Sequence, residues 1–239
     1  MAAWAGVVAS QVGPLHSKLL NAAFLGCLAA GWGGLLALVW RKKAWRWALA
    51  IAPLMLAIPF LLPGRAIKTA ELRDDYVRRL GNLGGTKYYW GGEGGGGIDC
   101  SGLPRRTYRD ALLAYGIKHL NGRATRAFLE QWWHDASARA LSESYRSYTR
   151  PLGGRGVIRE MDYQGLLPGD LAVTTSGLHV LVYMGEELWI QADPGSDAVV
   201  MLHGRKDDNG WFRASVTTHR WALLSSPRLD ANGPADASP

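Results

Sequence analysis

Cysteine is scarce in this chain. There are two in 239 residues, Cys27 and Cys100. Cys27 lies inside a long apolar run and Cys100 lies beyond it, so a disulfide framework is not indicated. Metal-ligand spacing is also lacking. No second ligand stands at a zinc-site interval from Cys100 or His179, so neither a metal nor a cofactor is expected. Acidic residues number 20 against 27 Lys and Arg, a net charge of +7. A positive balance suits a polyanionic setting: nucleic acid, anionic lipid or an acidic cell-wall polymer.

Charge of either sign is missing from Leu19 to Trp40, a run of 22 residues. At about 1.5 Å per residue such a run spans the roughly 30 Å hydrocarbon core of a bilayer. Arg41, Lys42, Lys43 and Arg46 follow at once, and a second run continues from Trp47 to Leu62 through Pro53 and Pro59. This second run reaches most of the way across if Arg46 and Arg65 snorkel. Trp40, Trp45 and Trp47 fall where interfacial aromatics belong. The competing reading, a signal peptide followed by a buried helix, lacks the positive n-region it needs. Residues 19–62 therefore read as a transmembrane helical hairpin in contact with lipid. The positive-inside rule puts its Arg41–Arg46 turn in the cytoplasm and everything after Leu62 on the periplasmic or extracellular side. Residues 1–18 form an N-terminal tail, 69–224 a folded domain, and 225–239 a small, polar tail expected to be disordered.

The stretch that organises the domain is Tyr88-Tyr-Trp-Gly-Gly-Glu-Gly-Gly-Gly-Gly-Ile-Asp-Cys-Ser-Gly-Leu103. Its glycines let backbone approach a ligand closely. Asp99 is a good N-cap, and Leu103, Thr107 and Leu112 continue at helical spacing. Cys100 would then open a helix, where free N–H groups and the positive dipole end favour a thiolate. Such a thiol is expected to be alkylated faster than a free one at neutral pH.

Around this stretch, Thr69 is expected to cap a helix carrying Leu72, Tyr76, Val77 and Leu80, ended by Gly81, Gly84 and Gly85. The helix after Cys100 should reach about Tyr115, with a kink or irregular first turn at Pro104. Phe128–Tyr148 reads as a further helix and Pro151–Gly156 as a loop. Beyond Leu166 the period changes to that of strands: Leu171–Thr174, His179–Met184, Leu188–Ala192, Val199–Leu202 and Ser215–Leu224. These form a small antiparallel sheet. His16, His119, His134, His203 and His219 have no motif around them and are expected at the surface.

Four pieces occur in order: Tyr88-x-Trp-Gly-Gly, Asp99-Cys100-Ser-Gly-Leu, Leu167-Pro-Gly-Asp170-Leu, and His179 followed twelve residues later by Gln191. Together they resemble the NlpC/P60 family of papain-like cell-wall cysteine peptidases over about residues 69–224. The resemblance implies an α+β fold, with the nucleophile-bearing helix packed on a small antiparallel sheet. It implies Cys100 as nucleophile, His179 as base and Gln191 as the residue that orients the His. Tyr88, Asp99 and Ser101 would lie on the substrate side. Departures are Pro104, the glycine-rich loop and the long segment from Phe128 to Tyr163.

The chemistry fits the resemblance. A thiolate attacks an amide carbonyl and an imidazolium protonates the leaving amine. Neighbouring strands can bring positions twelve apart to the same end of a hairpin, and an amide oxygen can hold an imidazole tautomer. Asp193 is a rival orienter. The expected activity is cleavage of an amide bond in peptidoglycan peptide stems, with no nucleic-acid partner. Two alternatives stay open: a lipid acyltransferase or esterase using the same residues, and a non-catalytic wall-binding protein. A housekeeping enzyme and a toxin delivered to rival cells both fit. The polar stretch after Leu62 (Arg73, Asp74, Asp75, Arg78, Arg79) suggests a site lifted clear of the lipid.

Overall fold

The structure, a computed structural model, describes residues 18–94, 96–134 and 136–225. The expected tails, apart from Lys18 and Ser225, and His16 lie outside the described residues. Two apolar helices come first, α1 (Lys18–Leu38) and α2 (Lys43–Leu61). Both are long and apolar enough to cross a membrane, and almost none of their residues are buried in the protein. Pro53 and Pro59 are accommodated inside α2.

The folded domain begins with α3 (Thr69–Gly81), which buries Leu72, Tyr76 and Leu80. Thr69 is its first residue; Lys68 occupies the cap position. A short ribbon, β1 (Glu93–Gly94) and β2 (Gly97–Ile98), leads into α4 (Gly102–Lys118). Then come α5 (Gly122–Trp133), the short α6 (Ala138–Ser142) and a 3-10 turn at Tyr145–Ser147. Six strands follow: β3 (Thr149–Val157), β4 (Leu171–Thr174), β5 (Val180–Gly185), β6 (Leu188–Asp193), β7 (Ala198–His203) and β8 (Ser215–Trp221). They make one antiparallel sheet in the order β3-β8-β4-β5-β6-β7.

Alternation along each strand sends side chains to two cores. Leu171, Val173, Val180, Val182 and Ile190 pack with α3, α4 and α5. Ala172, Leu181, Tyr183, Trp189 and Phe212 pack on the other side. An aromatic knot fastens the helices to the sheet. Tyr108 of α4 stacks on Trp221 of β8 at 4.3 Å, and Tyr76 of α3 meets both rings edge-on. The Trp221 indole N–H donates to the Tyr76 hydroxyl at 3.1 Å.

Two local expectations are corrected. The helix read over Phe128–Tyr148 starts earlier and is broken. Asn121 caps α5 by accepting from the Arg123 N–H, and Ser137 caps α6 through the Ala140 N–H. These caps set the boundaries against an apolar pattern that runs on through the breaks. Pro151–Gly156 is not a loop but part of β3. Proline and glycine are tolerated there because β3 is an edge strand, and its register against β8 shifts between Pro151 and Arg155.

The junction between α2 and α3 is itself bonded to the domain. The Arg65 N–H and carbonyl both bond the Asn121 amide, and the Lys68 N–H donates to the Tyr115 hydroxyl. The Gly122 N–H donates to the Pro63 carbonyl. A side chain at Gly122 would run into the Leu62 carbonyl, so only glycine permits this approach. The domain sits directly against the exit of α2.

The Leu167-Pro-Gly-Asp170 turn has a structural role. Buried Asp170 accepts from the Leu167 N–H at 2.8 Å and holds Arg220 of β8 through two bonds of 2.7 and 2.6 Å. Asp170→Asn strands Arg220 without its counter-charge. It should cost roughly 3–5 kcal/mol, read as a lower denaturation midpoint of the full chain in detergent. An unchanged midpoint would show that the pair is not holding the turn to the sheet.

Candidate active site

Asp99 builds the entry to α4. Its carbonyl accepts from the Leu103 N–H at 3.0 Å, and its Oδ1 from the Gly102 N–H at 2.5 Å and the Ser101 hydroxyl at 3.0 Å. Its Oδ2 takes the Gly91 N–H at 3.0 Å. Ser101 occupies the cap position of α4, so Asp99 and Cys100 lie in the turn just before the helix and do not open it; the one carboxylate ties that turn to the glycine loop. The loop is held again from behind: Glu93, almost fully buried, pairs with Arg109 at 2.8 Å and Arg105 at 3.5 Å. Gly102 passes so close to the Gly92 carbonyl that any side chain there would collide with it. The first turn is loose, as Pro104 suggested, with the Arg105 N–H reaching Ser101 at 3.4 Å.

Cys100 is 6% exposed, and its thiol faces the Leu178 carbonyl at 3.7 Å. It therefore lies against the turn that delivers His179. That turn is pinned by Thr174, whose hydroxyl accepts from the N–H groups of Leu178 and His179 at 3.1 and 3.0 Å. The His179 Nε2 is 2.6 Å from Oε1 of Gln191, which is fully buried on β6. An amide oxygen can only accept, so Nε2 carries the proton and Nδ1 keeps a lone pair. Trp211 covers the imidazole, stacked at 4.0 Å and 9°.

Asp193 is on the same side of β6 as Gln191, two residues on, but it is otherwise engaged. It accepts from the Gly195 N–H, the Ser196 hydroxyl, the Asn209 amide and the Trp211 indole N–H. Burial alone would raise its carboxyl, yet these bonds hold it below its ordinary value. Asp193 thus grips the ring that lies on His179, while Gln191 bonds the imidazole itself. Tyr88 lies close by: burial first, then the charges of Cys100, Asp99 and Asp193, push its phenol up to about 12. Ser101 is buried and spends its hydroxyl on Asp99.

Burial changes the electrostatics expected from the helix start. It pushes the Cys100 thiol up to about 12, with the Asp99 charge adding to the rise. It brings His179 down to about 4, against the opposing pull of the Gln191 bond and the Asp193 charge. At neutral pH the resting residues are a thiol and a neutral imidazole, not an ion pair. The desolvation of each charge outweighs the dipole and N–H groups at the helix start.

Sequence reasoning missed Trp211, Thr174 and the Glu93 clamp. Asn209-Gly210 signals a turn, but nothing local in it points to His179. His219, expected at the surface, is buried on β8 beside the Thr217 hydroxyl at 2.9 Å.

No curated protein matches this sequence. Among solved structures, NlpC1 from Trichomonas vaginalis is 19% identical over 64% of this chain and 44% of its own, with a TM-score of 0.43. The P60 domain of an antigen from M. avium subspecies paratuberculosis is 17% identical over 67% of this chain and all of its own, with a TM-score of 0.41. The peptidoglycan hydrolase RipB from Mycobacterium tuberculosis is 19% identical over 62% of this chain and 65% of its own, with a TM-score of 0.37. This chain thus spans less than half the length of the Trichomonas protein. Residues 85–219, more than half of the sequence, match the profile of the NlpC/P60 family, and the chain belongs to that family.

Proposed function

We propose that this protein is a membrane-anchored cysteine hydrolase that cuts an amide bond in the peptide stem of peptidoglycan. The observation that carries the reading is the bond from His179 Nε2 to the Gln191 oxygen at 2.6 Å, on a turn whose Leu178 carbonyl meets the Cys100 thiol. Cys100 is the nucleophile, His179 the base and Gln191 the orienter. Membership of the NlpC/P60 family supports both the reaction type and the wall substrate. The two apolar helices support the anchor, and the basic turn between them favours a domain outside the cytoplasm.

The resting neutral pair sets the order of proton transfers. As the sulfur attacks the carbonyl carbon, Nδ1 of His179 takes the thiol proton, so no buried ion pair precedes the attack. The Cys100 backbone N–H, just before the helix start, suits the developing oxyanion. The imidazolium then gives its proton to the leaving nitrogen, and the C–N bond breaks to leave a thioester. Water, deprotonated by His179, opens the thioester and returns the thiol. Trp211 keeps bulk water off the His179–Gln191 bond. Asp99 and Ser101 act by shaping the loop, and Tyr88 borders the nucleophile.

A second reading has one observation in its favour. The domain sits directly against the exit of α2, where an ester hydrolase acting on lipid would also be placed. Digestion separates the two. The full chain in micelles should release peptides with new amine ends from purified peptidoglycan and no fatty acid from phospholipid vesicles, and Cys100→Ala should do neither. Fatty-acid release without new amine ends would reverse the ranking. A reporter active only outside the cytoplasm, fused after β8, should be active; activity of a cytoplasmic reporter alone would contradict the wall as substrate.

Removing the orienter leaves nucleophile and base in place. Gln191→Ala should therefore lower kcat roughly ten- to a thousandfold, less than the loss of Cys100 or His179. Trp211→Ala and Asp193→Asn should act in the same direction and not exceed it. A larger loss in Asp193→Asn would make Asp193 the orienter.

The neutral pair has its own signature. Thiolate is scarce at pH 7 when the thiol titrates near 12, so iodoacetamide should label Cys100 more slowly than a free peptide thiol. Labelling should speed up as pH rises. Because His179 stays neutral down to about pH 4, turnover should persist below pH 6. Fast labelling at a rate flat from pH 5 to 8 would indicate a standing thiolate–imidazolium pair instead.

A further inference from the structure

Helix α5 has two unlike faces. Ala124, Ala127 and Phe128 join the domain core beside α4. The other stripe runs Gly122, Thr125–Arg126, Leu129 and Trp132–Trp133, three or four residues apart. This stripe meets the hairpin at two places.

At its N-terminal end the Thr125 hydroxyl donates to the Pro59 carbonyl at 2.7 Å. The Arg126 guanidinium donates to the Phe60 and Leu62 carbonyls at 3.0 and 2.8 Å. These carbonyls belong to the last turn of α2 and its exit, groups a helix end leaves unsatisfied, and Arg126 also complements the negative dipole end. At the other end of α5, the Asn21 amide of α1 donates to the Trp132 carbonyl at 2.8 Å, itself near a helix terminus. Asn21, a polar residue inside an apolar helix, is 2% exposed. Phe24 meets the Trp132 ring edge-on at 6.2 Å.

The two contacts span the hairpin. Thr125 to Trp132 is seven residues, about 10 Å of helix, close to the 8–10 Å between the axes of packed helices. Asn21 is near the start of α1 and Pro59 near the end of α2, so both contacts lie at the same end of the hairpin. α5 lies across that end. Between the contacts, on the same stripe, Leu129 is 39% exposed, and Trp133 beyond them is 37% exposed.

We propose that α5 is an interfacial helix whose Leu129–Trp133 stripe rests in the outer headgroup–acyl boundary, so that the domain lies on the bilayer rather than hanging from a tether. The proposal rests on the reading of α1 and α2 as membrane spans. The occupant is lipid because the stripe is continuous with helices that would themselves be lipid-covered. Trp and Leu match the boundary's apolar layer, and on the flank of the same helix Arg123 is exposed while Glu130 is paired with Arg146.

Depth measurement by spin label tests this on the full chain, in vesicles of phosphatidylethanolamine and phosphatidylglycerol. The background carries Cys27→Ser and Cys100→Ser, and the label is placed singly through Leu129→Cys, Trp133→Cys, Leu54→Cys in α2, or Asp208→Cys on the far exposed turn. Labels at 129 and 133 should lie about 5–10 Å below the surface, with collision rates with a water-soluble nickel chelate several-fold below those at 208. The label at 54 should be deeper still. A deep label at 54 with water-exposed labels at 129 and 133 would overturn the proposal and leave the spans standing. A water-exposed label at 54 would overturn both.

Discussion

One carboxylate holds the candidate site together. Asp99 takes hydrogen bonds from Gly91, Ser101 and Gly102 while its carbonyl bonds the first turn of α4. Without it, a glycine-rich loop would have too many backbone choices to hold Cys100 against the Leu178 turn. The Glu93 clamp on Arg105 and Arg109 restrains the same loop from the opposite side. On the far side of the thiol, Thr174 plays the matching part for the turn that carries His179. Cys100 and His179 therefore come from two backbone turns held by side-chain bonds, and neither depends on the long side-chain reach of a flexible residue.

The second constraint is burial. Local patterns favoured a thiolate, since a helix start supplies dipole and N–H groups. The folded site instead encloses Cys100 and His179 so fully that each is held neutral. Gln191 suits such a site better than a carboxylate would. It fixes the imidazole without bringing a full charge into the sheet. Asp193 stands at one remove, its charge absorbed by four donors including the indole that covers His179.

Much of this was legible in the sequence, and the reasons are physical. Runs such as Leu181–Tyr183 and Leu188–Ile190 announce buried strands, and Asp99 ahead of Cys-Ser-Gly announces a helix to follow. Hydrophobic pattern failed where local and non-local terms compete. Pro151 and the glycines after it look like a loop until a neighbouring strand, β8, fixes them as a bulged edge. The apolar rhythm from Phe128 onward hides the breaks that Ser137 and the turn at Tyr145–Ser147 impose. Trp211 over His179, and α5 across the hairpin, are contacts between distant segments. A single sequence carries no local mark of either.

The central claim is that Cys100 itself is acylated during amide cleavage. It is tested most directly by rapid acid quench of the full-length protein mixed with a peptidoglycan stem peptide, followed by intact-protein mass analysis. The expected result is a transient thioester on Cys100 bearing the acyl half of the peptide, with the amine half released in equal amount. Cleavage that proceeds undiminished in Cys100→Ala would contradict it.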